Sequence, residues 1–407
     1  LVVTYTFNFI DRQILGILVE PIKRDLGVSD TWMGLLTGLA FALFYTVMGI
    51  PIARYADRAN RRNLVALALA IWSGFTALQG AAQSFWQLML FRIGVGVGEA
   101  GCSPPSHSIL ADYYPPNRRA TALGIYSLGI PVGILFGFFV GGWMEEFFGW
   151  RWAFVVVGVP GLLLALLVRL TVREPPRGYS EQRTSEVGEQ PSIGEVARYL
   201  LGRKSFVHMA IGGGVTAFVG YGLITWAAAF FVRTHGMGSG ELGTWLGLIF
   251  GIPGGIGIAL GGRLADHFGE RDARWYLWVV AAALLVVVPI GLGVYLTDDA
   301  TLALLFLVVP VLLGNFYQAT TFAQTQTLVG LRMRSVAAAI LLFVINIIGL
   351  ALGPSAVGFL SDLLAPEFGT DSLRWALLIC SLANLWAAFH YWQAGRHFPG
   401  DLARVED

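Results

Sequence analysis

The chain of 407 residues is 56% hydrophobic and 13% charged, with a formal net charge of +1 and a mean hydropathy of +0.65. Soluble domains carry about 25% charged residues, so this composition excludes a soluble globular protein, and its balanced charge offers no basic surface for a nucleic-acid partner. It fits an integral protein of the lipid bilayer, in which apolar runs of about 18 residues or more mark the membrane-crossing helices.

Twelve such runs follow one another near 1-20, 31-54, 63-82, 85-111, 120-143, 152-170, 206-232, 241-264, 275-296, 301-328, 335-361 and 373-394. The first is already under way at Leu1, so the native N-terminus is expected upstream. The run at 85-111 holds only two charges, Arg92 and Glu99. Seven residues make almost two helical turns, so both lie on one face with Gly96, Ser103 and Ser106. Gly94, Gly98 and Gly101 line the opposite side and predict close approach of a neighbouring helix. A charge facing lipid costs about 2.5 to 3.5 kcal/mol on insertion scales, so this helix is expected inside a bundle. The two cysteines, Cys102 and Cys380, lie far apart in apolar runs and read as buried free thiols.

The polar stretch 172-204 separates six runs from six, giving an N-terminal bundle over 1-171, a linker, and a C-terminal bundle over 205-407. The linker is expected to be dispensable for the fold of each half, with a short surface helix near Ile193 to Leu201. With the N-terminus inside, nineteen of the 27 Lys and Arg residues fall on the cytoplasmic side and five on the other. That asymmetry predicts cytoplasmic termini and a cytoplasmic linker, in a multi-pass protein of the inner membrane. The halves also repeat. Met33-Gly34 and Asp57 recur as Leu242-Gly243 and Asp266; Pro131 and Arg151-Trp152-Ala153 recur as Pro354 and Arg374-Trp375-Ala376. A duplicated six-helix unit is the plan of a transporter with its site between the halves.

After the second run comes Ala53-Arg54-Tyr55-Ala56-Asp57-Arg58-Ala59-Asn60-Arg61-Arg62, and after the eighth Gly262-Arg263-Leu264-Ala265-Asp266-His267-Phe268-Gly269-Glu270-Arg271. Both resemble the loop signature of the major facilitator superfamily, G-x-L-A-D-R-x-G-R-R. The first has Ala53 and Asn60 at its glycine positions, and the second lacks the arginine after Asp266. Asn8-Phe9-Ile10-Asp11-Arg12 and the Arg92 to Glu99 stretch further resemble the Spinster family, whose animal members export sphingosine-1-phosphate and lysolipids. The resemblance implies an all-α membrane protein of twelve transmembrane helices in two pseudo-symmetric six-helix bundles. It also implies secondary transport by alternating access. An N-x-x-D-R first helix occurs in proton-coupled organic-anion symporters of the same fold as well, so an organic anion or drug-like substrate stays open. Gly129-Ile130-Pro131-Val132-Gly133, with Gly137 and Gly141-Gly142, loosely resembles the glycine-proline motif of proton-coupled exporters and leans the reading toward efflux. The repeated Asp57 and Asp266, with Arg58, Arg118 and Arg119, are expected to form a cytoplasmic gate.

Asp11 lies about 14 Å below the outer end of the first run and Glu99 about 21 Å along the fourth, both near the midplane. Adjacent helical residues do not face each other, so Asp11 and Arg12 need partners on other helices. Two readings compete. In one, Asp11 or Glu99 exchanges a proton as its pairing with Arg12 or Arg92 changes; in the other, the four form a static brace. No acid lies deep in the last six runs, which favours the first. The candidate substrate-binding groups are Asn8, Tyr45 and Ser103 in the first half, and Tyr221, Thr225, Trp226, Asn315, Gln318, Thr321 and Asn346 in the second. For each, a helix-to-helix hydrogen bond is an equal alternative. A cavity charged on one wall and polar and aromatic on the other suits a small amphipathic or anionic substrate. His107 and His208 are read as interfacial. Motifs of hydrolases and metalloenzymes are absent, so neither an enzyme nor a cofactor or metal is expected, and the protein is expected to act as a monomer.

Overall fold

The computed structural model describes residues 1–56, 58–177, 179 and 191–405, and the regular structure among them is entirely helical. The chain divides into two compact units, Leu1–Glu186 with Thr225–Gly251, and Val187–Ile224 with Ile252–Asp407.

The first unit opens with α1 (Val2–Leu26), ended by Gly27 at φ 62°. Helix α2 (Asp30–Leu35) passes through a π-helical turn, Leu36–Ala40, into α3 (Phe41–Ala56). Then come α4 (Arg61–Gln79), α5 (Phe85–Glu99), α6 (Ser103–Tyr113), α7 (Pro116–Ser127), α8 (Gly129–Phe148) and α9 (Trp150–Thr171). Side chains at the helix starts accept otherwise orphaned backbone donors: Asn60 from Asn63 at 2.9 Å and Ser84 from Gln87 at 3.4 Å.

The second unit holds α10 (Ile193–Leu201), then α11 (Lys204–His235) and α12 (Ser239–Gly269), which it shares with the first. They are followed by α13 (Trp275–Leu296), α14 (Ala300–Gly314), α15 (Phe316–Thr327) and α16 (Arg334–Ile345). A second π-helical segment, Asn346–Ala351, leads into α17 (Leu352–Phe368), and α18 (Ser372–Ser381) and α19 (Ala383–Leu402) complete the chain.

Among the described residues, eight helical stretches are long and apolar enough to cross a membrane, and nine of the twelve expected runs fall on them. The other three lie on α1, on α4, and on α5 with α6. The expected continuous run 85-111 is corrected: it breaks at 100–102, directly after Glu99. The cause is local. Pro104 and Pro105 lack backbone donors, and two adjacent rings would clash with the carbonyls four residues earlier in a continuous helix, a conflict avoided by their place in the first turn of α6.

Glycines set the packing of the first unit. On α8, a Cβ at Gly133 would lie 2.5 Å from the Phe9 Cβ and 2.6 Å from the Thr6 carbonyl oxygen, so α8 lies directly on α1. Around the same helix, a Cβ at Gly142 would meet the Ser239 carbonyl at 2.3 Å, and one at Gly243 the Phe138 carbonyl at 2.5 Å. This contact is why Thr225–Gly251 groups with the N-terminal residues. In the second unit the same device recurs between α17 and α11, where a Cβ at Gly353 would meet the Phe218 carbonyl at 2.5 Å. The repeated Arg-Trp-Ala recurs in structure too. Arg151 donates to the Ala82 carbonyl beyond α4, and Arg374 donates to the Tyr295 carbonyl near the end of α13.

Residues 178 and 180–190 of the linker lie outside the described residues. Its last part is packed into the second unit. Helix α10, closed by a Ser192–Glu195 capping box, buries Val196 and Leu200 completely in the core of the second unit. That core begins before residue 205.

Candidate functional site

Helices α1 and α5 carry Asp11, Arg12, Arg92 and Glu99, the four charges expected near the midplane. The Arg12 Nε donates to the Glu99 Oε2 at 2.5 Å, and the Arg12 and Glu99 side chains are 13% and 0% exposed. The pair exists because Arg12 points about 100° away from Asp11 around α1 and so reaches α5. Three rings surround its guanidinium: Phe9 at 5.2 Å, Phe41 at 5.1 Å and Tyr45 at 4.5 Å. Such faces attract a desolvated cation. Asn8, one turn before Arg12, also stands beside Glu99.

Arg92 makes no carboxylate hydrogen bond. Its guanidinium lies 4.5 Å from the Phe41 ring centroid, and Nη1 donates to the Asp11 backbone carbonyl at 3.3 Å. The carboxylate of Asp11, fully buried, meets no hydrogen-bond donor in acceptable geometry. Thr76 and Trp72 of α4 stand against it, with Glu99 and Arg92 as its charged neighbours. So the four groups form one tight ion pair, Arg12 with Glu99, and a second acid without one. The glycine strip of α5 does face a helix: Gly94, Gly98 and Gly101 abut Phe75, Trp72 and Ala68 of α4.

The remaining candidates divide. Tyr45 and Ser103 are half-buried, whereas Asn8 is buried. In the C-terminal half, Tyr221 and Thr225 are half-buried, and Trp226 and Asn346 are buried. Asn315 donates to the Val311 carbonyl at 2.6 Å and accepts from Gln318 at 3.1 Å. Thr321 shares a 2.6 Å hydrogen bond with Tyr391 of α19. The Thr321 contact is the helix-to-helix alternative that the sequence left open, whereas those of Asn315 are local to the chain and were not expected.

Of the expected gate, Asp57 lies outside the described residues. Arg58, Arg118 and Asp266 are exposed, and Arg119 donates to the Ala111 carbonyl at 2.9 Å. The centre of this end is instead Arg61, 1% exposed. It pairs with Asp112, donates to Glu174 at 2.8 Å, and reaches Ser108 and the Pro175 carbonyl. Sequence reasoning counted Arg61 only as one more cytoplasmic charge; its place in the loop signature was the available signal. At the opposite end of α1, Arg233 of α11 forks onto Asp30 at 2.6 and 2.8 Å and reaches Glu20 at 2.7 Å. His208, read as interfacial, sits 2.9 Å from the His390 ring nitrogen, and His107 packs against Tyr126.

A family model described as Major Facilitator Superfamily matches residues 1–354. An "MFS-type efflux pump" of Mycolicibacterium smegmatis is 37% identical over 98% of this chain and 91% of its own length. The mouse "Sphingosine-1-phosphate transporter SPNS2" is 25% identical over 98% of this chain and 76% of its own. Among solved structures, a bacterial homologue of the human lysosomal transporter Spinster, inward-facing and unoccupied, superposes with a TM-score of 0.87. It is 34% identical and covers 98% of this chain and 96% of its own.

Proposed function

Since the chain belongs to the Major Facilitator Superfamily and is therefore a multi-pass membrane transporter and not an enzyme, we propose that it moves an amphipathic, lipid-like substrate by proton-coupled alternating access. The observation that carries this reading is the Arg12–Glu99 ion pair with the unpaired Asp11 carboxyl one residue away. A proton arriving at Glu99 releases Arg12, and a freed guanidinium held among aromatic faces suits the anionic head of a lipid better than a neutral solute. Asp11 is the second proton site. Efflux is the favoured direction, in keeping with the name of the mycobacterial relative. The proposal takes the chain as twelve spans in two six-helix bundles with cytoplasmic termini in the cell membrane.

A small organic anion is the second reading, favoured by the same guanidinium. Purified protein in liposomes separates the two: lysolipid and a small organic anion are offered with and without an imposed pH gradient. Lysolipid flux accelerated by the gradient is expected. Gradient-driven flux of the anion alone replaces the lipid reading, and flux of neither compound overturns both.

A further inference from the structure

Helix α4 carries a polar stripe that the ion pair does not use. Ser73, Thr76 and Gln79 are spaced by three residues, so they lie along one face, and all three are fully buried. That face looks into the seam between α1 and α9. The Ser73 Oγ lies 2.1 Å from where a Cβ on Gly161 of α9 would be, and that point is 3.6 Å from Phe7 of α1. Thr76 stands against the Asp11 carboxyl.

The Thr76 hydroxyl and the Trp72 indole face the Asp11 carboxyl, but in strict geometry none of these side chains has its hydrogen bonds met. The Ser73 and Thr76 hydroxyls, both polar atoms of the Gln79 amide and both oxygens of Asp11 are buried without a partner in acceptable geometry. So are the indole nitrogens of Trp72 and of Trp150, which opens α9 beside the end of α4. Buried polar groups are nearly always satisfied, and where protein does not do so, water does. A single unmet hydroxyl is a packing accident. Here the unmet groups are contiguous and begin at an intramembrane acid.

They also lead out. Gln79 is the last residue of α4, about 4.5 Å along the axis from Thr76 at 1.5 Å per residue, and Ala81, Gln83 and Ser84 just beyond it are exposed. This end of α4 is opposite to Arg61, whose side carries the basic residues. Asp11 is thus separated from the outer face by two polar side chains within the first unit. The charged groups around Asp11 are Glu99 and Arg92 from α5, with Arg12 on α1 itself turned toward Glu99. Toward Asp11, α4 presents only neutral groups, and the charges of α9, Arg151 and Arg169, lie near its ends.

We propose that Thr76 and Gln79 form a water-filled proton path by which Asp11 exchanges protons with the outer face through the first unit alone, without opening of the substrate route. The proposal rests on the reading of Asp11 as a proton site. In this path Gln79, which can both donate and accept, guides a proton between outer water and Thr76; the acid that gains or loses it is Asp11.

The test uses full-length protein inserted in one orientation in liposomes, with the carboxyl infrared band of Asp11, identified by its loss in Asp11→Asn, followed after pH jumps on either side. With the wild type, an outer pH jump is expected to change the band promptly. Gln79→Leu and Thr76→Val should each slow that response by about tenfold, the rate effect of removing one hydrogen-bonding group from a path. Gln79→Asn and Thr76→Ser should keep it, and the response to an inner jump should not change. Wild-type kinetics in both Gln79→Leu and Thr76→Val overturn the path. Should one of the two fail to fold, the other decides. A wild-type Asp11 band that ignores pH on both sides overturns the reading of Asp11 itself, a distinct result.

Discussion

Arg12 and Glu99, 87 residues apart, meet at 2.5 Å between α1 and α5, while Asp11, beside Arg12 in sequence, makes no hydrogen bond in acceptable geometry. The pair is incompletely satisfied. Its acid keeps one unsatisfied oxygen and its base is caged by Phe9, Phe41 and Tyr45. Without Arg12, Glu99 keeps Arg92 and Asn8 as charged or polar neighbours, and without Glu99, Arg12 is left among aromatic rings.

Breaking the pair from one side should therefore cost more than removing it. Removal of one partner from a buried ion pair costs about 3 to 5 kcal/mol, whereas apolar replacement of both is often neutral. Arg12→Leu is expected to lower the melting temperature clearly, and Arg12→Leu with Glu99→Leu to recover most of the loss without recovering transport. Melting curves of the single and double variants check this.

Arg233 is expected to be a stability hub of the first unit. It holds the buried Asp30 and Glu20 together with Lys23, which sits 2.6 Å from Asp30. Arg233→Ala leaves two buried acids short of a counter-charge, for a loss of about 3 to 5 kcal/mol. Arg233→Lys keeps the charge but not the fork onto Asp30, and should fall between. Thermal unfolding of both variants decides it.

Gly133 should tolerate no side chain. A methyl there would collide with both the Phe9 Cβ and the Thr6 carbonyl, so α1 and α8 must part. Gly133→Ala is expected to cost about 1 to 3 kcal/mol, the usual penalty of overpacking. Gly124→Ala, where nothing lies within 4 Å, should be close to neutral. Yield of folded protein and melting temperature give the comparison.

Glu174 lies beyond the end of α9, outside the membrane-spanning segments. Burial pushes its carboxyl up, but the Arg61 side chain and the Arg62 backbone N–H outweigh this and hold it below the usual value. A carboxyl with a depressed folded pKa adds stability above its unfolded value, about 4.3. That contribution is lost as pH falls through the folded value. Glu174→Gln should therefore melt lower than wild type at pH 7, and the difference should close below about pH 4. A gap that widens in acid would show that Glu174 does not work through Arg61.

Much of this could be read from sequence because it depends on one helix at a time. The face shared by Arg92 and Glu99, the glycine strip turned to α4, helix α10 and the repeated arginines Arg151 and Arg374 all follow from spacing. The choice of Arg12 over Asp11 as partner of an α5 residue depends on how α1 is rotated against α5, which no single helix encodes. The same holds for Arg61 over Arg58. The break after Glu99 is written in Ser103-Pro104-Pro105, but the apolar run of α5 before it and the scarcity of charges mask it. The grouping of Thr225–Gly251 with the N-terminal residues comes from Gly142 against Ser239 and Gly243, a contact about 100 residues long in sequence.

The central claim, that Glu99 carries a coupling proton, is tested most directly by measuring pH-dependent flux and melting temperature together on Glu99→Gln in liposomes. The amide keeps the size of the side chain and an acceptor for Arg12 but fixes the neutral state. Flux that has lost its pH dependence is the expected result, with whatever fall in melting temperature the loss of the Arg12 counter-charge brings. A wild-type pH profile accompanied by a lowered melting temperature would make Arg12–Glu99 a static brace and contradict the account.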